Sequence, residues 1–395
     1  MLPVSAAPVR VGLIGFGYAG RTFHAPLIRA TEGIALVAVA SSRPSDVHAA
    51  LGDVSVTDSV DALVARDDID LIVVASPNDS HAPLALAALA AGKHVIVEKP
   101  FALSLDEARA VVVAAGRAGR LLSVFHNRRW DSDFLSVKAA IASGSVGEVV
   151  HLESRFDRFR PNVRDRWRER ATPGGGIWYD LGPHLIDQAL QLFGLPERVE
   201  ANLAVLRPGG VAHDWAHAVL EYPDKRVVLQ ASMLVAGGSP RFVVHGSGGS
   251  LVKERGDQQE AQLLAGVLPG ATGWGEDDDP LNLYDGQSRH VLPASAGDQR
   301  EFYRAVVAAI REDAPNPVPP AQALATMAVI EAGLRSSDQH RAIALPLTPA
   351  EREAFGDGWK REGAGREGCR NPSVRSPRTA RPAPSTPPTP PPSQA

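Results

Sequence analysis

The chain has 395 residues, 44% hydrophobic and 22% charged, with a formal net charge of −4. These are ordinary globular values, and the length calls for two cores. So even a charge balance leaves no electrostatic footprint for nucleic acid, and no apolar run is long enough to span a bilayer. The single cysteine, Cys369, excludes an internal disulfide and a multi-cysteine metal site; no metal is expected, and a cytoplasmic location fits.

From Val9 to about Phe125, short β-branched runs alternate with alanine-rich helical stretches. VRVGLIG, IALVAVAS, IDLIVVAS, KHVIVEKP and LLSVFH read as buried strands of a parallel sheet. PLALAALAAGK and LDEARAVVVAAGRAG read as helices, the second opened by a capping box of Ser104 and Glu107. Such alternation predicts a doubly wound α/β domain over residues 1–128.

After Trp130 the pattern changes. A helix (DFLSVKAAIASG) leads to the strand GEVVHLESRFD, an arginine-rich loop and a helix within GGGIWYDLGPHLIDQALQLFG. VEANLAVL, WAHAVLEYP, RVVLQASML and RFVVHGS alternate as strands, with hairpin chemistry in EYPDKR and HGSGGS. Strands gathered together with helices to one side predict an α+β domain with an open, mainly antiparallel sheet over residues 129–347. DQREFYRAVVAAIRE and AQALATMAVIEAGLRSS are two further helices, expected to pack back on the first domain. Residues 348–395 turn polar and proline-rich and are expected to be disordered.

Gly15-Phe16-Gly17-Tyr18-Ala19-Gly20 follows the first strand directly and opens a helix. Glycines there let the backbone turn tightly against a pyrophosphate held at the helix N-terminus, so the segment predicts dinucleotide binding. The second strand ends Ser41-Ser42-Arg43, where an NAD enzyme usually carries an acid for the ribose 2′-hydroxyl. Small hydroxyls and arginine suit the 2′-phosphate of NADP, although Arg43 also fits a solvated loop.

Ser76-Pro77-Asn78 ends the strand IDLIVVAS, where Asn78 could reach the nicotinamide ribose or merely shape a turn. His81, which follows, is counted with this crevice, although its own side chain reads as structural. Glu98 and Lys99 close the next strand; Lys99 points at the ligand crevice or makes a structural ion pair. Asp180 and His184 are spaced i, i+4 on one helical face, as a general base and its orienting acid require. A capping aspartate and a core histidine would show the same spacing, and Pro183 could kink the helix between them. The arginines from Arg155 to Arg170 are interspersed with acids and read mainly as an ion-paired loop. His24, His151 and His245 are read as structural or solvated.

GFGYAG, ASPN, EKP and GGGIWYDLGPH occur in the order and spacing of the Gfo/Idh/MocA oxidoreductases, and the chain resembles that family over roughly residues 9–347. FHAPLI, SVFHNRRWDSDF, ESRFDRFRP and RDRWRE resemble the branch that holds NADP-dependent scyllo-inositol dehydrogenase. The resemblance implies hydride transfer between NADP and a polyol or sugar, with Lys99, Asp180 and His184 as the catalytic group. It places Trp167 and Arg168, with Asn78 and Glu98, along the nicotinamide half. His126, Asn127, Asp157 and Arg158 are candidate substrate contacts. A homodimer or homotetramer is expected, since relatives assemble through the open sheet. Two other readings on the same fold are a non-catalytic dinucleotide or sugar sensor and an NAD-dependent glycoside hydrolase. Such proteins tend to lose Lys99 or His184, which this chain keeps.

Overall fold

The computed structural model describes residues 7–357. β1 (Val9–Ile14), β2 (Ile34–Ala40), β3 (Ser55–Thr57), β4 (Leu71–Val74), β5 (His94–Val97) and β6 (Leu122–Val124) form one parallel sheet in the order β3-β2-β1-β4-β5-β6. β4 and β6 are buried along their whole length, because helices cover both faces. Those helices are α1 (Ala25–Arg29), α2 (Pro44–Leu51), α3 (Val60–Val64), α4 (His81–Ala90) and α5 (Leu105–Ala118). At α5 the Ser104 hydroxyl accepts from the Glu107 amide at 3.2 Å, while Glu107 accepts from the Leu103 amide, one residue earlier than a strict capping box. The strand order reverses direction between β1 and β4, which opens a crevice at their carboxyl ends. β3 has no buried residue, so it lacks the apolar run by which the equally short β6 is read.

The second half begins with α6 (Ser132–Ala142), β7 (Val149–Asp157) and α7 (Ile177–Phe193). It continues through β8 (Arg198–Ala204), β9 (Trp215–Glu221), β10 (Arg226–Ser232), β11 (Phe242–Gly246) and β12 (Gly249–Lys253). After α8 (Gln259–Leu264) come β13 (Leu281–Tyr284), β14 (Arg289–Leu292), α9 (Arg300–Arg311), α10 (Pro320–Gln339) and β15 (Ile343–Ala344). All nine strands join one sheet, antiparallel except where β7 pairs with β10. Both expected hairpins form, β9 to β10 and β11 to β12. Alternate residues of β9 (Ala216, Ala218, Leu220) are buried while their neighbours stay partly exposed, so the sheet has one covered face and one open face.

α7 and α10 supply the cover. They meet where Trp178, fully buried, donates its indole N–H to the Ile330 carbonyl at 3.1 Å. A Cβ on Gly333 would stand 2.7 Å from that ring, so this approach needs a glycine. α10 also packs on α5 and β6, and α9 packs on α1. Phe302 and Tyr303 of α9 meet Phe125 at the end of β6, with ring centroids 5.0 and 6.0 Å apart. Both helices thus return to the first sheet, as expected. Among the described residues no helix is long and apolar enough to cross a membrane.

The tail expectation needs correction at its start. Residues 349–357 are helical. Glu351 pairs with Arg109 of α5 at 2.7 Å and Phe355 is buried, so this stretch has the ionic and apolar contacts that disorder would lack. The remainder of the expected tail lies outside the described residues. A chain ended at 347 is expected to be less stable than one ended at 357 by roughly 3 kcal/mol, the cost of removing a buried aromatic. Thermal denaturation of the two lengths measures it, and equal midpoints would show the helix to be a passive appendage.

Candidate active site

The crevice begins at Gly15, whose φ of 96° is open to glycine. A Cβ there would stand 2.6 Å from the Ala75 carbonyl, and one on Gly20 would stand 2.2 Å from the Gly15 carbonyl. These two glycines close the turn. Gly17 differs: nothing lies within 4 Å of where its Cβ would be, and the residue lines a cavity of about 460 Å³. Phe16, Tyr18 and Ala19 continue that wall, and Ser41, Ser42 and Arg43 form its far end. Arg43 donates to the Phe16 carbonyl at 3.1 Å and its amide donates to the Ser41 hydroxyl. Its guanidinium is thereby tied to the glycine turn, while the side chain stays largely exposed and faces Asp46 at 3.6 Å. The residues present fit an extended dinucleotide, with backbone amides for the pyrophosphate and Ser41 to Arg43 at the adenosine end.

Ser76, Pro77, Asn78, His81, Glu98, Lys99, Trp167 and Arg168 line the other end. Asn78 donates to the Gly174 carbonyl at 3.1 Å, fastening this edge to the glycine loop before α7. His81 lies 2.7 Å from the Pro100 carbonyl and 3.0 Å from the Ser76 carbonyl, so it braces two loops. Burial pulls its pKa down, and a neutral ring can donate to only one of the two.

Lys99 also lines a second cavity of about 340 Å³, which extends to Asn127, Arg158, Asp180 and His184. Three anchors hold α7 here. Arg129 donates to both Asp187 oxygens, at 2.9 and 2.6 Å. Gln188 donates to the Arg128 carbonyl at 2.9 Å and accepts from Arg241 at 2.6 Å. These contacts fix the middle of α7, and a contact of Lys99 with Asp180 sets its first turn against the end of β5.

Asp180 does not orient His184. It meets Lys99 and Arg168 instead, each at 3.3 Å, and its carbonyl accepts from Lys99 Nζ at 2.8 Å. The helix runs on through Pro183, and the reason for the lost pair is competition between partners. Burial alone would raise the Asp180 carboxyl, but Lys99, Arg168 and Arg158 hold it far below the usual carboxylate range. Burial lowers His184 well below the ordinary histidine value, and Lys99, Arg128, His126 and Arg158 push it further. A charged carboxylate beside two cations and a neutral imidazole has little reason to choose the imidazole. His184 Nδ1 is buried without a hydrogen-bond partner, and the residue lines the second cavity. Burial likewise lowers Lys99, opposed by Asp180 and assisted by Arg168.

Two of the four candidate substrate contacts reach this cavity, Asn127 and Arg158. His126 is buried with neither ring nitrogen bonded, and Asp157 turns toward Gln230 and Ser239. Both expectations are therefore corrected. His24, read as structural, is fully buried but central: Nε2 lies 3.0 Å from Glu98 and Nδ1 2.6 Å from the Tyr303 hydroxyl. The Glu98 carboxylate can only accept, so Nε2 carries the hydrogen. Glu260 was not singled out. It joins Tyr18 at 2.7 Å and Arg128 at 2.8 Å, tying α8 to the glycine turn across the second cavity.

Comparison with known proteins agrees with this geometry. Residues 9–126 match a profile described as "Oxidoreductase family, NAD-binding Rossmann fold", and residues 138–345 match one for the family's C-terminal alpha/beta domain. The uncharacterized oxidoreductase YdgJ of Escherichia coli is 50% identical over 85% of this chain and 97% of its own. The scyllo-inositol 2-dehydrogenase (NADP(+)) IolW of Bacillus subtilis is 34% identical over 85% of this chain and 96% of its own. A crystal structure from Klebsiella pneumoniae, provisionally described as an oxidoreductase, superposes with a TM-score of 0.85 at 52% identity, covering 90% of this chain and 100% of that one. The glycine turn, the lysine shared by two cavities and these matches over both halves place the chain in the Gfo/Idh/MocA oxidoreductase family.

Proposed function

We propose that the chain is an NADP-dependent dehydrogenase or reductase acting on a secondary alcohol or ketone of a polyol or sugar. One observation carries the reading: Lys99 lines both the dinucleotide cavity and the adjoining cavity that holds His184. NADP, held by the glycine turn and Ser41 to Arg43, would supply the hydride acceptor for the carbinol carbon. His184 Nε2 accepts the hydroxyl proton, so alcohol becomes ketone as the two hydrogens leave by separate routes. Lys99 stabilises the developing alkoxide by charge and hydrogen bond. Asp180 and its own carbonyl hold the Lys99 ammonium in place. The similarity to IolW supports both NADP and an inositol-like substrate. A homodimer or homotetramer built on the open face of the second sheet completes the proposal.

Absorbance at the reduced nicotinamide, followed with inositol isomers, inososes and aldoses, tests the reaction. NADP binding without turnover of any alcohol or ketone in a broad screen would overturn it. For the cofactor, Arg43→Ala is expected to weaken NADP binding by about 1.5–3 kcal/mol, the worth of a charged hydrogen bond, and to leave NAD binding nearly unchanged. Equal losses for both cofactors, or a wild-type preference for NAD, count against the 2′-phosphate site.

A further inference from the structure

The second cavity is unusually cationic for a neutral polyol. Lys99, Arg128, Arg158, Arg160, Arg164, Arg166 and Arg168 line it, against the carboxylates of Glu98, Asp180 and Glu260. Several of these cations are matched: Arg128 by Asp131 and Glu260, Arg166 by Glu169, Arg168 by Asp180. Arg158, Arg160 and Arg164 are not. Their side chains make no salt bridge or hydrogen bond among the described residues, although the loop around them is otherwise ion-paired. Burial lowers Arg158 and Arg160 and neighbouring arginines lower both further, while Asp180 offsets part of this at both and Glu260 part of it at Arg158. Arg158 also lies close enough to depress both Asp180 and His184. Arg164 is exposed at the mouth, as an unmatched surface charge can be, but Arg158 and Arg160 are partly buried and line a cleft beside the reacting groups.

The dinucleotide does not account for them. The glycine turn and Arg43, which would hold its phosphates, line the first cavity; the turn reaches the second only at Tyr18 and Ala19, and of these arginines only Arg168 lines the first. Guanidinium groups recognise phosphate and carboxylate oxygens through paired, charge-assisted hydrogen bonds. We infer that the substrate is a polyol or sugar bearing an anionic group, a phosphate ester or a carboxylate, held by Arg158 with Arg160 and Arg164 while its alcohol meets Lys99 and His184. This rests on the proposed alcohol oxidation and narrows its substrate class.

Matched pairs test it with NADP-saturated protein: myo-inositol against its monophosphate, glucose against glucose 6-phosphate, and glucose against glucuronate. The expected result is at least about a 10-fold higher kcat/KM for an anionic member, which arm responds deciding between phosphate and carboxylate. That advantage should shrink as salt rises from about 0.05 to 0.5 M, because screening shortens the reach of the arginines. Arg158→Ala should reduce the anionic advantage by about 10- to 100-fold, and Arg158→Lys should retain part of it. The wild-type salt dependence stands even if a variant fails to fold. Neutral members turned over as well as anionic ones, without salt dependence, would overturn the inference and leave alcohol oxidation standing. Should no alcohol be oxidised, calorimetric titration of inorganic phosphate into the NADP-loaded protein decides: binding lost in Arg158→Ala supports the anion site, and no binding overturns it. Loss of NADP affinity equal to loss of anion affinity in Arg158→Ala also overturns it, since the arginines would then serve the cofactor.

Discussion

His184→Ala is expected to lower kcat by about 10²–10⁴ while NADP still binds, because a positioned general base contributes about that much. Lys99→Ala should lose a comparable factor, since charge stabilisation of an alkoxide is realised mainly in the transition state. The double variant should lose much less than the product if the two act as one unit. The pH profile separates them. His184 must be neutral to accept a proton, and burial among cations holds its pKa well below the ordinary value, so the acidic limb should lie below about pH 6.5 and vanish in His184→Ala. Lys99 must be charged, so activity falls as pH rises through its lowered pKa. Asp180→Asn removes the carboxylate that opposes this lowering, and the basic limb should move to lower pH. Movement of the acidic limb alone would revive the pairing of Asp180 with His184. Near wild-type rates in both His184→Ala and Lys99→Ala, read by single-turnover NADPH absorbance, would place the chemistry elsewhere.

Asp187→Ala should be the most destabilising of the substitutions considered. The Arg129 and Asp187 side chains are almost entirely buried, 6% and 3% exposed, and bonded twice. Removing the carboxylate leaves the charge of a buried guanidinium without its counter-ion, which typically costs about 3–5 kcal/mol, whereas replacing both with well-packed apolar residues is far milder. Urea denaturation of Asp187→Ala and of Arg129→Met with Asp187→Leu compares the two. A loss under about 1 kcal/mol in the single variant would mean that Arg129 finds other partners; its bond to the Pro317 carbonyl is the first candidate.

What could be read from sequence was what lies within a few residues. The turn from Gly15 to Gly20, the close of β5 at Lys99 and the helix that carries His184 are local patterns, and each stands where expected. The Asp180 to His184 pair failed because helical spacing says which side chains can meet, and says nothing of competitors. Lys99 is 81 residues away in sequence, and it took the carboxylate. His24 with Glu98 and Tyr303, or Tyr18 with Glu260, joins residues separated by 74, 279 and 242 positions. No periodicity signals such contacts. β14 was missed because it is largely exposed, without the apolar alternation that marks a strand. The helix at 349–357 hid behind polar composition, its anchor Arg109 lying far upstream.

The return of α9, α10 and residues 349–357 to the first sheet bears on how the chain is made. Packing order and synthesis order disagree. The strands of the first sheet all emerge before residue 125, yet Phe125 waits for Phe302 and Tyr303, and α5 waits for α10 and Glu351. Domains usually fold from the N-terminus as they leave the ribosome. The packing of the first sheet is therefore complete only once the helix at 349–357 is present, and exchanging that half between relatives calls for α9, α10 and residues 349–357 to travel with it.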